Sequence, residues 1–165
     1  MSGAVIPTCA DIRLIGEGLD PGRELERFIA GLGDANVGAV VSFTGLCRGD
    51  GGRIAALELE HYPAMAEREL RRVAQRACRR WSLLGIAVVH RYGLILPGET
   101  IVFVAAASVR RAEAFLAAEF LMDHLKTDAP FWKRERLPDG QPGGWVAAGD
   151  DDRTRRARWD DAPES

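Results

Sequence analysis

Lysine is almost missing from this chain: of 22 Lys+Arg residues only Lys126 and Lys133 are lysines. Both sit in one stretch, Lys126-Thr-Asp-Ala-Pro-Phe-Trp-Lys133. Arginine serves almost any surface ion pair, whereas an ammonium can shed its proton when buried or act as a compact acid, base or nucleophile. Scarcity alone leaves ordinary surface lysines and catalytic lysines evenly matched. The neighbours favour chemistry. Pro130 ends whatever helix precedes it, so the lysines flank a sharp turn, and Phe131 and Trp132 give that turn an apolar floor.

Other absences narrow the function classes. Cys9, Cys47 and Cys78 are odd in number and show no CxxC spacing, which argues against a disulfide framework and a zinc knuckle and fits a reducing cytoplasm. Neither charge sign dominates: 24 acidic against 22 basic residues give a formal net charge of -2. A global basic field for nucleic acid is therefore excluded, and any anion site has to be local. No charged segment precedes an apolar run at residues 1–18, and no run is long enough to span a bilayer, so a soluble protein is expected. His90 has no second His, Cys or carboxylate spaced to complete a metal site, so a packed structural histidine is expected there. Internal repeats and nucleotide-binding glycine motifs are missing too.

What is present reads as one α+β domain. With 165 residues, 47% of them hydrophobic, a single core is expected, spanning residues 1–149. Residues 150–165, with three aspartates, an arginine cluster and Trp159, read as a tail that is flexible or ordered by a partner. A strand is expected near residues 11–16. Asp20-Pro21 caps a first helix closed by Gly31 and Gly33. Residues 37–44 and 54–62 read as two strands of a hairpin around the Asp50-Gly51 turn. Pro63 opens a second helix with a stripe of Ala66, Leu70, Val73, Ala77 and Trp81. Its arginine-rich face reads as a solvated surface with Glu–Arg pairing. Residues 86–92 and 100–107 are strands joined by a Pro-Gly turn. Ser108 is expected to cap a third helix whose apolar stripe includes Phe115, Leu121, Met122 and Leu125. Residues 131–136 read as extended and Trp145 as part of a short closing strand.

Two arginine sites stand out. Arg48 lies in the glycine-rich loop 45–52, where backbone amides also face an anion. Arg110 and Arg111 sit in the first turn of the third helix, against the helix dipole, an arrangement that a bound anion would favour. A partner carboxylate such as Glu113 is the equal alternative.

The stretches VGAVVSFTGLCR, LELEHYPAMAE, VVHRYGLILPGE, the Ser-Val-Arg-Arg helix start, FLMDHLKTDAPFWKRE and Trp145-Val occur in one order over residues 37–148. In that order they resemble the MoaE family, the large catalytic subunits of molybdopterin synthase. The resemblance implies an α/β hammerhead-type domain with a mixed or antiparallel sheet and about three helices. It implies a cytoplasmic sulfurtransferase of molybdenum cofactor biosynthesis. Sulfur passes from the C-terminal Gly-Gly thiocarboxylate of a small ubiquitin-like carrier subunit (MoaD-like) to cyclic pyranopterin monophosphate, giving the molybdopterin dithiolene. It further implies a homodimer at the centre of a heterotetramer, and no cofactor, metal, nucleic acid or membrane. By this resemblance Lys126 and Lys133 are catalytic, Arg48, Arg110 and Arg111 bind anions, and Phe43 and Met122 pack near the substrate. Two positions depart from the family: Arg110 stands where His is common, and Gly149 where some relatives carry Arg, with Arg153, Arg155 or Arg156 as substitutes. Those departures motivate the alternative of a non-catalytic paralogue that binds the carrier as a scaffold.

Overall fold

The structure, a computed structural model, describes residues 10–33 and 36–160; Val5, Ile6 and Cys9 lie outside the described residues. Two four-stranded sheets carry the chain. The first has the order β1(Ala10–Ile15), β4(Leu83–Arg91), β6(Thr100–Ser108), β2(Ala39–Leu46), and the second β5(Gly93–Ile95), β3(Ala56–His61), β7(Phe131–Arg136), β8(Pro142–Val146). β1 runs parallel to β4, while β2, β4 and β6 pair antiparallel. The second sheet is antiparallel throughout.

Capping is local, so the first helix follows its sequence closely. α1(Pro21–Leu32) starts where the Asp20 side chain accepts from the amides of Gly22 at 2.9 Å and Arg23 at 3.2 Å. It stops at Gly33, which takes the left-handed φ of 59° that favours glycine. β4 and β6 are central strands covered on both faces, which explains their nearly continuous apolar sequence. Ile86, Val88, Val102 and Val104 face α2(Pro63–Arg80) and α3(Arg111–Thr127), whereas Ala87, Val89, Phe103, Ala105 and Ala107 face Phe28 of α1. Gly38 marks a close approach of backbones: a Cβ there would run into the Val109 carbonyl. Gly38→Ala is expected to lower stability by about 1–3 kcal/mol, read from chemical denaturation midpoints, and an unchanged midpoint would contradict the packing at this edge.

The expected hairpin does not form. β2 pairs with β6, while β3 pairs with β5 and β7, so the two strands belong to different sheets. The loop between them is tied to distant chain instead: Cys47 N donates to Glu99 O at 2.9 Å and Ala55 N to Arg136 O at 2.8 Å. The Asp50-Gly51 turn exists as a 3-10 turn, Asp50–Gly52, but the partners that bury β2 and β3 lie later in the chain. Gly93–Ile95, read as part of a loop, adds the short strand β5.

The arginine face of α2 is divided. Glu67–Arg71 (2.8 Å) and Glu69–Arg72 (2.5 Å) form the expected surface pairs, each worth a few tenths of a kcal/mol. Arg76 and Arg80 instead turn inward over the Phe120 ring of α3, at 5.6 and 5.2 Å from its centroid. Ser108 also departs from expectation. The N-cap of α3 is Arg110, and the Ser108 hydroxyl, two residues earlier, accepts from Arg110 N at 3.3 Å and lies 2.7 Å from Glu113 and 3.0 Å from Ser82 O. On α3 the buried aromatic is Phe120, while Phe115 is exposed.

Residues 150–160, expected within a tail, form a fourth helix and a turn on the chain's own core. α4(Asp150–Ala157) packs on α3, and Trp159 is buried between Trp81 and Phe120, edge-on to both, with centroids 5.8 and 5.4 Å away. Its indole Nε1 donates to Asp123 Oδ2 at 2.8 Å, and Arg80 donates to its carbonyl. Among the described residues no helix is long and apolar enough to cross a membrane.

Candidate functional site

The site forms where the two sheets meet at the end of α3. The helix closes with Thr127 Oγ1 donating to Asp123 O at 2.9 Å and Asp128 N to His124 O at 2.7 Å. Pro130 cannot continue it. The chain turns there and enters β7 at Phe131, whose amide donates to Ala129 O at 2.8 Å. Lys126 thus leaves the last turn of α3, and Lys133 leaves a strand held between Leu59 of β3 and Val146 of β8. The turn brings both onto one cleft of about 390 Å³ lined also by Arg48, Trp132, Trp145 and Asp152.

Both lysines also line a small cavity of about 80 Å³ beside the cleft, with Phe43, Met122, Leu125 and His90. A third, mostly apolar groove of about 530 Å³ runs from Lys126 past Phe43, Met122 and Phe115 and is bordered by Asp152 and Arg155. Lys126 lines all three spaces. Lys126 is exposed, while Lys133 is half-buried. Burial pushes the Lys133 amine below the usual lysine range, and the nearby charge of Lys126 adds to that; Asp152 acts in the opposite sense. Arg48 is 86% exposed, with Asp50 3.9 Å away; so loose a surface pair leaves the guanidinium free to take an anion.

His90 is the packed histidine expected, and it is also part of the cavity wall. Its ring stacks on Phe131 at 4.0 Å and 12°, and Nδ1 lies 2.7 Å from Arg91 O. A nitrogen in contact with a carbonyl carries the hydrogen, so Nε2 is the ring's acceptor. Burial pushes the pKa down to about 4. His124 is held similarly: Nδ1 donates to Phe120 O at 2.9 Å, and Nε2 accepts from Arg76 Nη1 at 3.1 Å, and burial pushes it down to about 4. Both imidazoles are neutral when folded and take a proton near 6.5 when unfolded. The unfolded chain therefore binds more protons between about pH 6.5 and 4, and stability falls as pH falls through that window. Thermal melting is expected to drop by roughly 10 °C from pH 7 to pH 5. A flat profile would contradict neutral buried histidines.

Of the residues singled out in the sequence, Arg48, Phe43, Met122, Lys126 and Lys133 come together around these connected spaces. Arg110 and Arg111 do not. They stand at the N-terminal end of α3, about 24 Å along the helix from Lys126 at about 1.5 Å per residue. Trp132, expected as part of the floor of the turn, lines the cleft; Trp145 and Asp152 line it too, without having been singled out as site residues from the sequence. Asp152 gave no local signal because its helix has no apolar stripe. Gly149 is the N-cap of α4. Among the possible substitutes for an arginine there, Arg153 pairs with Asp150 and Arg156 with Asp128 and Asp160, while Arg155 lines the apolar groove. Among the described residues no group of His, Cys, Asp or Glu is placed to hold a metal ion.

Known proteins are similar to this chain in sequence and in fold. A sequence model described as MoaE protein matches residues 16–128. A molybdopterin synthase catalytic subunit of Brucella melitensis is 52% identical over 160 residues, 96% of this chain and 97% of the relative. One from Mesorhizobium japonicum is 50% identical over 164 residues, 99% of this chain and all of the relative. Among solved structures, a molybdopterin biosynthesis MoaE protein from Burkholderia ambifaria superposes with a TM-score of 0.76 at 42% identity, covering 93% of this chain and 99% of that one. The matches run through the strands, the long helix and the lysine turn that build the cleft, and the chain belongs to the MoaE protein family.

Proposed function

We propose that this chain is the large, catalytic subunit of a molybdopterin synthase and acts in the cytoplasm as a sulfurtransferase. In this reading the C-terminal thiocarboxylate of a small ubiquitin-like carrier supplies sulfur to cyclic pyranopterin monophosphate. The observation that carries it is the Pro130 turn, which sets the chain's two lysines on one cleft beside Arg48, in a chain half identical to proteins bearing that name.

The chemistry asks for those groups. Thiocarboxylate sulfur attacks a carbon of the pyranopterin, a C–S bond forms, and the displaced oxygen leaves with a proton. Hydrolysis of the resulting thioester leaves sulfur on the pterin and a carboxylate on the carrier, and a second round completes the dithiolene. Lys126, exposed at the junction of cleft and apolar groove, is assigned to the thiocarboxylate carbonyl, where a cation stabilises the developing oxyanion. Lys133, half-buried and shifted toward the neutral amine, is assigned to proton transfer at the pterin. Arg48 takes an anionic group of substrate or carrier with its forked donors. Phe43 and Met122 pack on the carrier's glycine tail or the pterin. Arg110 and Arg111 are too far along α3 to serve their own cleft, so an anion role for them requires the cleft of a second copy, in keeping with a homodimer at the centre of a heterotetramer.

The test is turnover by the purified chain with thiocarboxylated carrier and precursor. Dithiolene formation is the expected result. Carrier binding without dithiolene would favour the scaffold paralogue suggested by Arg110 and Gly149.

A further inference from the structure

Three cations, Arg48, Lys126 and Lys133, line the cleft, and a single carboxylate lines it with them, Asp152. The same residue borders the apolar groove, with Lys126 at the junction. Asp152 comes from α4, and the way α4 is fastened explains why it reaches the site. Trp159 anchors the helix in the core, Arg158 Nη2 donates to Asp123 Oδ2 at 2.9 Å, and Arg156 Nε donates to Asp128 Oδ2 at 2.7 Å. Asp123 and Asp128 flank Lys126 in the sequence. The contacts that seat α4 therefore hold the same stretch of chain that presents the lysine.

The groups facing Lys133 come from every side of the cleft. Lys126 is on α3, His90 on β4 with His61 of β3 near it, Arg48 on the loop after β2, and Asp152 on α4. Two are cations, the histidines are held toward their neutral forms by burial, and Asp152 carries the negative charge. Asp152 is half-buried, and among the described residues no ion pair occupies its carboxylate. In a partly dry cleft such a charge acts on a neighbouring amine more strongly than it would in water.

We propose that Asp152 is a positioning residue of the cleft, its carboxylate serving as the counter-charge to the lysine pair and controlling the proton that Lys133 carries. As a part in catalysis this rests on the sulfur-transfer reading. Lys133 gives its proton to the leaving oxygen, and Asp152 sets how readily it does so without touching the substrate itself. Removing the carboxylate favours the neutral amine, so whichever limb of the pH–rate profile Lys133 sets moves toward lower pH.

The scarcity of lysine makes a direct test possible. The full chain labelled with ¹³C at lysine Cε gives two signals, which can be followed through a pH titration by NMR. In Asp152→Asn the Lys133 midpoint is expected to fall by about 0.5 or more in pH, with Asp152→Glu restoring it. Asp151→Asn, an exposed neighbour outside the cleft, is expected to leave both signals unmoved. The sulfur-transfer profile of Asp152→Asn should move by the same amount and in the same direction. A Lys133 midpoint that stays put or rises in Asp152→Asn, with both signals dispersed as in the folded wild type, overturns the proposal. The titration needs neither carrier nor precursor, so its result is separate from a failure of the sulfur-transfer reading, which wild-type turnover alone decides.

Discussion

Lys133→Arg is expected to lose sulfur transfer by about a hundred- to ten-thousand-fold, the range for removing a positioned acid or base. The substitution keeps the positive charge and most of the side-chain length but replaces an amine that can titrate with a guanidinium that does not. Lys133 is suited to proton transfer because burial and Lys126 together move it below the ordinary lysine range. An arginine there still attracts anions, so precursor binding is expected to change little and the loss to fall on turnover. Single-turnover rates alongside binding by calorimetry separate the two. A Lys133→Arg enzyme that turns over within a few-fold of wild type would show that only the charge matters, and the proton-transfer role would fail.

Trp159→Ala is expected to lower stability by about 3–5 kcal/mol, the range for truncating a large buried aromatic. That is a large part of the stability of a domain this size and corresponds to a melting temperature lower by roughly 10 °C. The effect combines two losses: the edge-on packing against Trp81 and Phe120 and the hydrogen bond from the indole to Asp123. Asp123 is 8% exposed, so losing the indole donor leaves a buried carboxylate with Arg158 as its remaining close partner. Trp159→Phe retains most of the packing and is expected to lose a smaller share. Thermal melts of the two variants check the order, and an alanine variant melting with wild type would mean that α4 does not depend on this anchor.

The sequence discloses some parts of the molecule and hides others, for physical reasons. The ends of α1 are legible because Asp20, Pro21 and Gly33 act on their own neighbours. β4 and β6 are legible because burial on both faces forces continuous apolar runs. The pairing of β2 and β3 is not, since a turn sequence is local while β6 and β7, the partners that win, are remote. α4 is hidden by its composition. Asp150–Ala157 has no buried residue, and its anchor, Trp159, lies beyond the helix end, so no periodic pattern announces it.

The same division holds at the site. Lysine scarcity and the family resemblance point to Lys126 and Lys133, and Pro130 explains how residues seven apart meet. Arg110 and Arg111 look equally suited to anions in sequence, yet α3 carries them to its far end. His90 shows the reverse case, since packing on Phe131 and the bond to Arg91 O explain the residue fully until the cavity beside it is seen to hold both lysines.

Sulfur transfer is assigned to the lysine pair. The most direct measurement is dithiolene formation by the Lys126→Ala, Lys133→Ala double variant, mixed with thiocarboxylated carrier and cyclic pyranopterin monophosphate under conditions where the wild type turns over. Carrier binding by the variant is confirmed in the same preparation. Carrier bound and no dithiolene above background is the expected result. Dithiolene formed at the wild-type rate would contradict it.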